Sequence, residues 1–443
     1  MPVTLELTVN GSADPIGRYL TWTPYPAQLR LVAPDIPGPV TVLLRNAAGN
    51  VGGLAFRLVP TEDGDDELAL QLQDDGSPVD FLLSGEFMKP SVDDGDAVLE
   101  AVVDGEVVAQ VPFMVRIRKD AETLTEGERN RFLGALAALN NQGVGPYRGF
   151  HAMHTDETSR EAHGRDAFLP WHRAYLLDLE RELQAIDASV ALPYWRFDRP
   201  APGLFSADFL GSPVGPPSTA GGPPAALSAA NPLRTWTIDG VPGLNRHPLF
   251  RDPRVAAATY WREGNRLWVV RDEQALLNLA SQANLDYAYA EGTADGFRDE
   301  LEADPHGGAH SSFAGTISEI GTATADPLFF LLHCNVDRVW AQWQWHAQRF
   351  DGSRADTYFY RGTHEDPVHT RIGHNLKDTM WPWNGETGGT RPATAPRQPL
   401  RASLVVAGPP STPTVGDLID YQAQHGVEPC GFDYDDVPYQ KLV

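Results

Sequence analysis

The hydrophobic pattern of this 443-residue chain changes its period once, near residue 120, and that change demands a β part followed by an α part. Up to that point the apolar residues alternate or come as β-branched runs. Thr4–Val9, Gln28–Val32, Val40–Leu44, Glu67–Leu72 and Val98–Val103 each read as a half-buried strand. Turn formers separate them at short intervals: Asn10-Gly11, Asp35, Asp74-Asp75-Gly76, Asp94-Gly95 and Asp104-Gly105. Many short strands at this spacing predict an N-terminal all-β sandwich of the immunoglobulin-like kind over residues 1–118. No group of ligand-type residues falls in it, so packing, a lid or partner docking is its expected role rather than catalysis.

Thr125-Glu126-Gly127-Glu128 then places Thr at an N-cap with Glu three residues on, a capping box that opens a helix through Arg129–Leu139. Pro170 opens a second, in which Leu176, Leu179, Leu183 and Ile186 fall at helical spacing. Asp326-Pro327 opens a third that runs to about Gln348. Residues 119–385 are therefore predicted to form a mainly α-helical bundle, interrupted at 199–235 by Pro-, Gly- and Ala-rich loops. Residues 386–443 read as a Pro/Gly-rich tail packing on the core, with a short helix at Leu418–Gln424.

Composition excludes several functions. With 42% apolar and 21% charged residues the chain is an ordinary folded protein. Its 59 acidic against 35 basic residues give a net charge of -24, which repels nucleic acid and anionic lipid. No run of eighteen apolar residues offers a membrane span. Met1–Thr8 lacks the basic and apolar regions of a secretory leader, and two cysteines, Cys334 and Cys430, make no disulfide framework. The expected location is cytoplasmic.

Histidines carry the chemistry. Of thirteen, His151, His154, His163 and His172 form one cluster and His306, His310 and His333 a second. His306 and His310 lie four apart, so a helix would turn both to one metal. His172 and His333 fall on strongly apolar helices and should point inward. The remaining histidines (His247, His346, His364, His369, His374 and His425) read as ordinary surface or core residues. A buried imidazole without a partner is costly, so a cluster of them calls for a shared one. Neither the carboxylates of a calcium site nor zinc-finger cysteines accompany them. All-imidazole ligation suits copper, zinc, iron or nickel, and the residue types alone leave that choice open.

Two long segments resemble a known family. His163-Gly-Arg-Asp-Ala-Phe-Leu-Pro-Trp-His172-Arg173 is similar to the first copper signature of type 3 copper proteins: tyrosinases, catechol oxidases and molluscan haemocyanins. Asp326-Pro-Leu-Phe-Phe-Leu-Leu-His333-Cys-Asn-Val-Asp337-Arg338-Val-Trp340 resembles the second, in the right order and at the right distance. The likeness covers about residues 121–350 and leaves out the β region.

The resemblance implies two copper ions in a dinuclear site. Copper A would be held by His163, His172 and an upstream histidine, for which His151 and His154 compete; His151 is expected, because the family places this ligand on the preceding helix. Copper B would be held by His306, His310 and His333. The implied activity is a copper-dependent polyphenol oxidase that uses O2 to oxidise catechols to o-quinones, with ortho-hydroxylation of monophenols as a possible extension. Glu302, in a Phe-Arg-x-x-Leu-Glu run, matches the family glutamate that holds a proton-accepting water; the plain alternative is one more acid on an acidic helix. Strong monophenol hydroxylases often carry Asn or Asp after the first copper B histidine, where this chain has Gly307, so diphenol oxidation is expected to dominate. No thioether cysteine is expected, and Cys334 reads as a buried free thiol. The competing functions are an oxygen carrier like haemocyanin, an inhibited pro-enzyme blocked by its β domain, and a dinuclear zinc hydrolase, which would need bridging carboxylates.

Overall fold

The computed structural model describes residues 3–32, 38–60, 62–155, 157–164, 166–199, 201–212, 225–248, 261–262, 266–267, 296–358, 375–389 and 391–439. The chain forms two compact units. The first comprises residues 1–118, 403–408 and 422–443; the second comprises 119–402 and 409–421. The segment read as a single tail thus contributes to both units. His364, His369 and His374 lie outside the described residues.

Among the described residues of the first unit, nine strands make two sheets. They are β1 (Leu5–Val9), β2 (Tyr19–Leu20), β3 (Tyr25–Leu31), β4 (Val40–Asn46), β5 (Leu54–Arg57), β6 (Glu67–Leu72), β7 (Val79–Gly85), β8 (Ala97–Val103) and β9 (Glu106–Val115). One sheet has the order β1-β3-β7-β5, the other β2-β9-β8-β4-β6. All pairings are antiparallel except β2 with β9. Strand β3 shows why the pattern was legible: Tyr25, Ala27, Leu29 and Leu31 are buried while Pro26, Gln28 and Arg30 alternate outward. Both sheets bury their inner residues in one core, Leu29, Phe81 and Leu83 from the first and Val42, Leu44 and Leu99 from the second. Asp104 and Gly105 join β8 to β9 with φ of 51° and 85°, the left-handed conformations that a two-residue hairpin turn requires. The C-terminal residues belong to this core: Trp22 donates its indole N–H to Tyr434 O at 2.8 Å, and Asp433 accepts from Thr23 and Gln422.

The second unit carries the helices. Helix α1 (Glu126–Asn140) starts at the expected capping box, Thr125 Oγ1 accepting from Glu128 N–H while Glu128 accepts from Thr125 N–H. Helix α2 spans Tyr147–Met153 and α3 spans Phe168–Ile186. Helix α3 begins before Pro170, because a proline in the first turn loses no hydrogen bond. After α4 (Phe297–Leu301) the chain makes a π-helical turn, Glu302–His306, and continues as α5 (Gly307–His310). Helix α6 (Leu328–Ala347) is apolar around most of its circumference and accordingly lies in the interior, packed on α3. Asp326 Oδ1 accepts from Leu328 N–H and so caps it from outside. The helix expected at Leu418–Gln424 is only a 3-10 turn, Gly416–Leu418. Among the described residues, no helix is long and apolar enough to cross a membrane.

Candidate metal centre

Backbone carbonyls orient four of the histidines of the centre. His172 sits one turn into α3, where its Nδ1–H donates to Phe168 O four residues back at 2.7 Å. His306 makes the same contact with Glu302 O at 2.9 Å across the π-helical turn. A π turn inserts one residue into the helical repeat, and such insertions are frequent at functional sites. His310 donates to Ile317 O at 2.8 Å and His154 to Ile320 O at 3.1 Å. A carbonyl only accepts, so in all four rings Nδ1 carries the proton and Nε2 presents a lone pair.

Those lone pairs converge. One ring nitrogen from each of His154, His163 and His172 lies within 4.8 Å of the others, and the same holds for His306, His310 and His333. The triads adjoin: the rings of His172 and His333 stack at 4.2 Å, 12° apart, and His163 lies 6.3 Å from His306. The Nε2 atoms of His154, His172 and His306 are buried with no hydrogen-bond partner, and His310 Nε2 faces His333 Nε2 at 3.2 Å. Inward lone pairs with nothing to accept from are costly in a dry interior and fit cations.

Burial sets the protonation state. It lowers the pKa of His154, His172, His306 and His333 well below the ordinary value, and neighbouring imidazoles push the same way. His310 is lowered to about 4 by burial. Neutral imidazoles are the ligand form, so the site is preorganised for metal before any arrives. The donor set is nitrogen alone. Among the described residues no carboxylate joins either triad, which removes the bridging ligands a dinuclear zinc hydrolase would use. Imidazole nitrogen suits both copper oxidation states.

One expected ligand is displaced. His151, favoured for copper A, stands apart from the triad; its Nδ1 lies 2.9 Å from Thr324 Oγ1. His154 takes the place. It ends α2 with φ -133° and ψ 53°, leaving the helical path, and its ring meets those of His163 and His172 at 4.8 and 5.8 Å. The two candidates are three apart and share a helix face, so spacing could not separate them. Only the break at His154 does.

The surroundings are aromatic and dry. Phe329, one turn before His333, stacks on its ring at 4.2 Å, and Phe168 lies 5.0 Å from His306. Asp337, one turn beyond His333, accepts from Arg173 Nε at 2.7 Å with both side chains buried. Arg173 follows His172, so this pair ties the two ligand helices together. Cys334 is a buried free cysteine, its Sγ 3.7 Å from Leu192 O.

Glu302 stands between the triads. Its Oε1 accepts from Gly164 N–H at 2.6 Å, beside His163, and its Oε2 from Arg298 at 2.8 Å. Burial raises its pKa to about 7, against the opposing pull of Arg298. Gly307 leaves open space: a Cβ there would meet only Glu302 O, at 3.8 Å. The carbonyls of Ile317 and Ile320, which orient His310 and His154, had no sequence signal because any residue offers a carbonyl.

Comparison with known proteins now bears on the site. The common central domain of tyrosinase matches residues 144–346. A tyrosinase of Streptomyces glaucescens is 34% identical over 286 residues, covering 60% of this chain and 92% of the relative. A tyrosinase of Streptomyces antibioticus is 32% identical, covering 61% and 94%. Haemocyanin 2 of Megathura crenulata is 28% identical over 52% of this chain and 6% of its own length. Two adjoining triads of imidazoles with these relatives define a type 3 copper protein, a copper oxidoreductase with a dinuclear site. The chain belongs to the tyrosinase family.

Proposed function

We propose that the protein oxidises o-diphenols to o-quinones at the expense of dioxygen, with His154, His163 and His172 holding copper A and His306, His310 and His333 holding copper B. The stoichiometry is two catechols and one O2 giving two quinones and two waters. When bound, the copper pair supplies the two-electron redox chemistry and the site for dioxygen. The chain supplies the rest. Six imidazole rings fix the metals, Phe168 and Phe329 keep water out, and the Arg173–Asp337 pair holds the ligand helices in register. The observation that carries this reading is the convergence of two adjoining imidazole triads in which Nε2 of His154, His172 and His306 is buried without a hydrogen-bond partner.

Diphenol oxidation ranks above monophenol hydroxylation for a physical reason. A monophenol must first lose a proton whose ordinary pKa is about 10. Glu302, its carboxyl raised to about 7, is the proposed acceptor through an oriented water. Both carboxylate oxygens are already engaged, by Gly164 N–H and Arg298, and Gly307 offers no side chain to help hold a water. An active Glu302→Gln variant on monophenols would remove Glu302 from this role.

The decisive experiment follows oxygen uptake by the copper-loaded protein with a catechol and with the matching monophenol. Uptake with catechol at a clearly higher rate supports the proposal. Equal rates make it an efficient monophenol hydroxylase. Reversible oxygen binding without turnover would instead favour a carrier, in line with the likeness to a haemocyanin.

A further inference from the structure

Five of the six triad histidines lie on helices, at a helix end or in the π-helical turn; His163 alone sits in a loop, between α2 and α3. A ring in a loop is placed only as well as the loop is tied down. Gly164 is tied to Glu302 on one side. On the other side stands Glu161, two residues before His163. Its side chain is mostly buried; Oε2 accepts from Trp381 N–H at 3.1 Å and Oε1 from Arg391 Nε at 2.5 Å. Arg391 also pairs with Glu386 and approaches Thr379 O at 3.4 Å.

Trp381 extends the connection to the next ligand. Its carbonyl accepts the indole N–H of Trp171 at 2.7 Å, and Trp171 immediately precedes His172. Its own indole N–H donates to Thr394 O, closing the segment on itself. Trp383 reaches further along α3, donating to Asp178 at 3.2 Å. Among the described residues of 379–394 there is no helix and no strand, so these contacts do much to set the segment's shape. Among the described residues, the hydrogen bonds of Trp381, Trp383 and Arg391 go to the His163 loop, to α3 or within the segment. None goes to the elements bearing His306, His310 or His333.

We infer that residues 379–394 are a strap that positions copper A alone, with Glu161 and Arg391 as positioning residues for His163. The strap grips a residue within two positions of each of two copper A ligands and leaves copper B to the fixed geometry of the π-helical turn, α5 and α6. Outer residues that orient ligands are typically worth 10–100-fold in metal affinity. Here the effect falls on one metal of two. The inference rests on the ligand assignment proposed above.

The test uses the full chain, loaded with copper, as wild type, Glu161→Gln, Arg391→Ala and Arg391→Lys. Copper per chain is titrated against a chelator, and each copper(II) form is examined by electron paramagnetic resonance. A coupled copper pair is silent; a lone copper(II) gives a signal. Wild type should hold two coppers of similar affinity. In Glu161→Gln and Arg391→Ala one copper should leave at roughly tenfold lower chelator while the other is unchanged, and the lone-copper signal should appear. Arg391→Lys, which keeps the charge, should recover part of the loss. Both coppers holding as in wild type, or both weakening alike, would overturn the strap. Should Arg391→Ala unfold by circular dichroism, Glu161→Gln, nearly isosteric, decides the matter. Wild type holding fewer than two coppers would overturn the ligand assignment, and the strap with it.

Discussion

Replacing Asp337 by Asn is the sharpest probe of how the two ligand helices are joined. Asp337 Oδ1 receives Arg173 Nε at 2.7 Å, and both side chains are 2% exposed or less. The guanidinium lies on the Trp340 ring at 3.7 Å and gives its other N–H groups to Gln344 Oε1 and Leu418 O. The substitution keeps the shape and one acceptor oxygen but removes the countercharge. Breaking a buried pair on one side costs about 3–5 kcal/mol, because the remaining charge stays buried. Neutral acceptors on Gln344, Leu418 and Ile419 remain to Arg173, which puts the expected loss at the low end, about 3 kcal/mol. Urea unfolding of the metal-free protein, followed by tryptophan fluorescence, measures it. Substituting Arg173→Met and Asp337→Leu together should cost no more than Asp337→Asn alone, since no charge is stranded. A single-variant loss below about 1 kcal/mol would refute the reasoning, because it would mean that water or another group already shares the charge.

Three further outcomes follow from the same geometry. His154→Ala should abolish binding of one copper, whereas His151→Ala should keep two; metal analysis of both variants checks this, and the reverse result would restore His151 as the ligand. Gly307→Asn should raise the ratio of monophenol to diphenol turnover, since a Cβ there meets only Glu302 O, at 3.8 Å, and the added amide supplies a group to hold a water; an unchanged ratio contradicts the water-holding role. In the β unit, burial raises the Asp433 carboxyl from 3.8 to about 6. The native state therefore keeps a proton that the unfolded chain releases, and unfolding free energy falls as pH rises from about 4 to 6, by about 3 kcal/mol in all. Asp433→Asn should flatten that part of the stability profile, and an unaltered slope would show that Asp433 does not titrate there.

Period, caps and motif spacing are local properties, and the elements they specify could be read directly. The alternation in β3 and the capping box at Thr125 foretold a strand and a helix start because neighbouring residues alone decide them. Five triad histidines were legible: His163, His172 and His333 lie in two long motifs, and His306 and His310 stand four apart. The sixth was not. His151 and His154 are equivalent by spacing, and the choice falls to a backbone turn at the end of α2 and to the carbonyl of Ile320, far along the chain. The pairing of β2 with β9, the partner of Asp337 and the strap from Thr379 to Thr394 are likewise long-range. Sequence by itself singled out the clustered histidines and the local elements on which most of them fall. Tertiary structure decided which of those residues meet, because a buried lone pair or charge selects its partner from whatever the fold brings within about 3 Å.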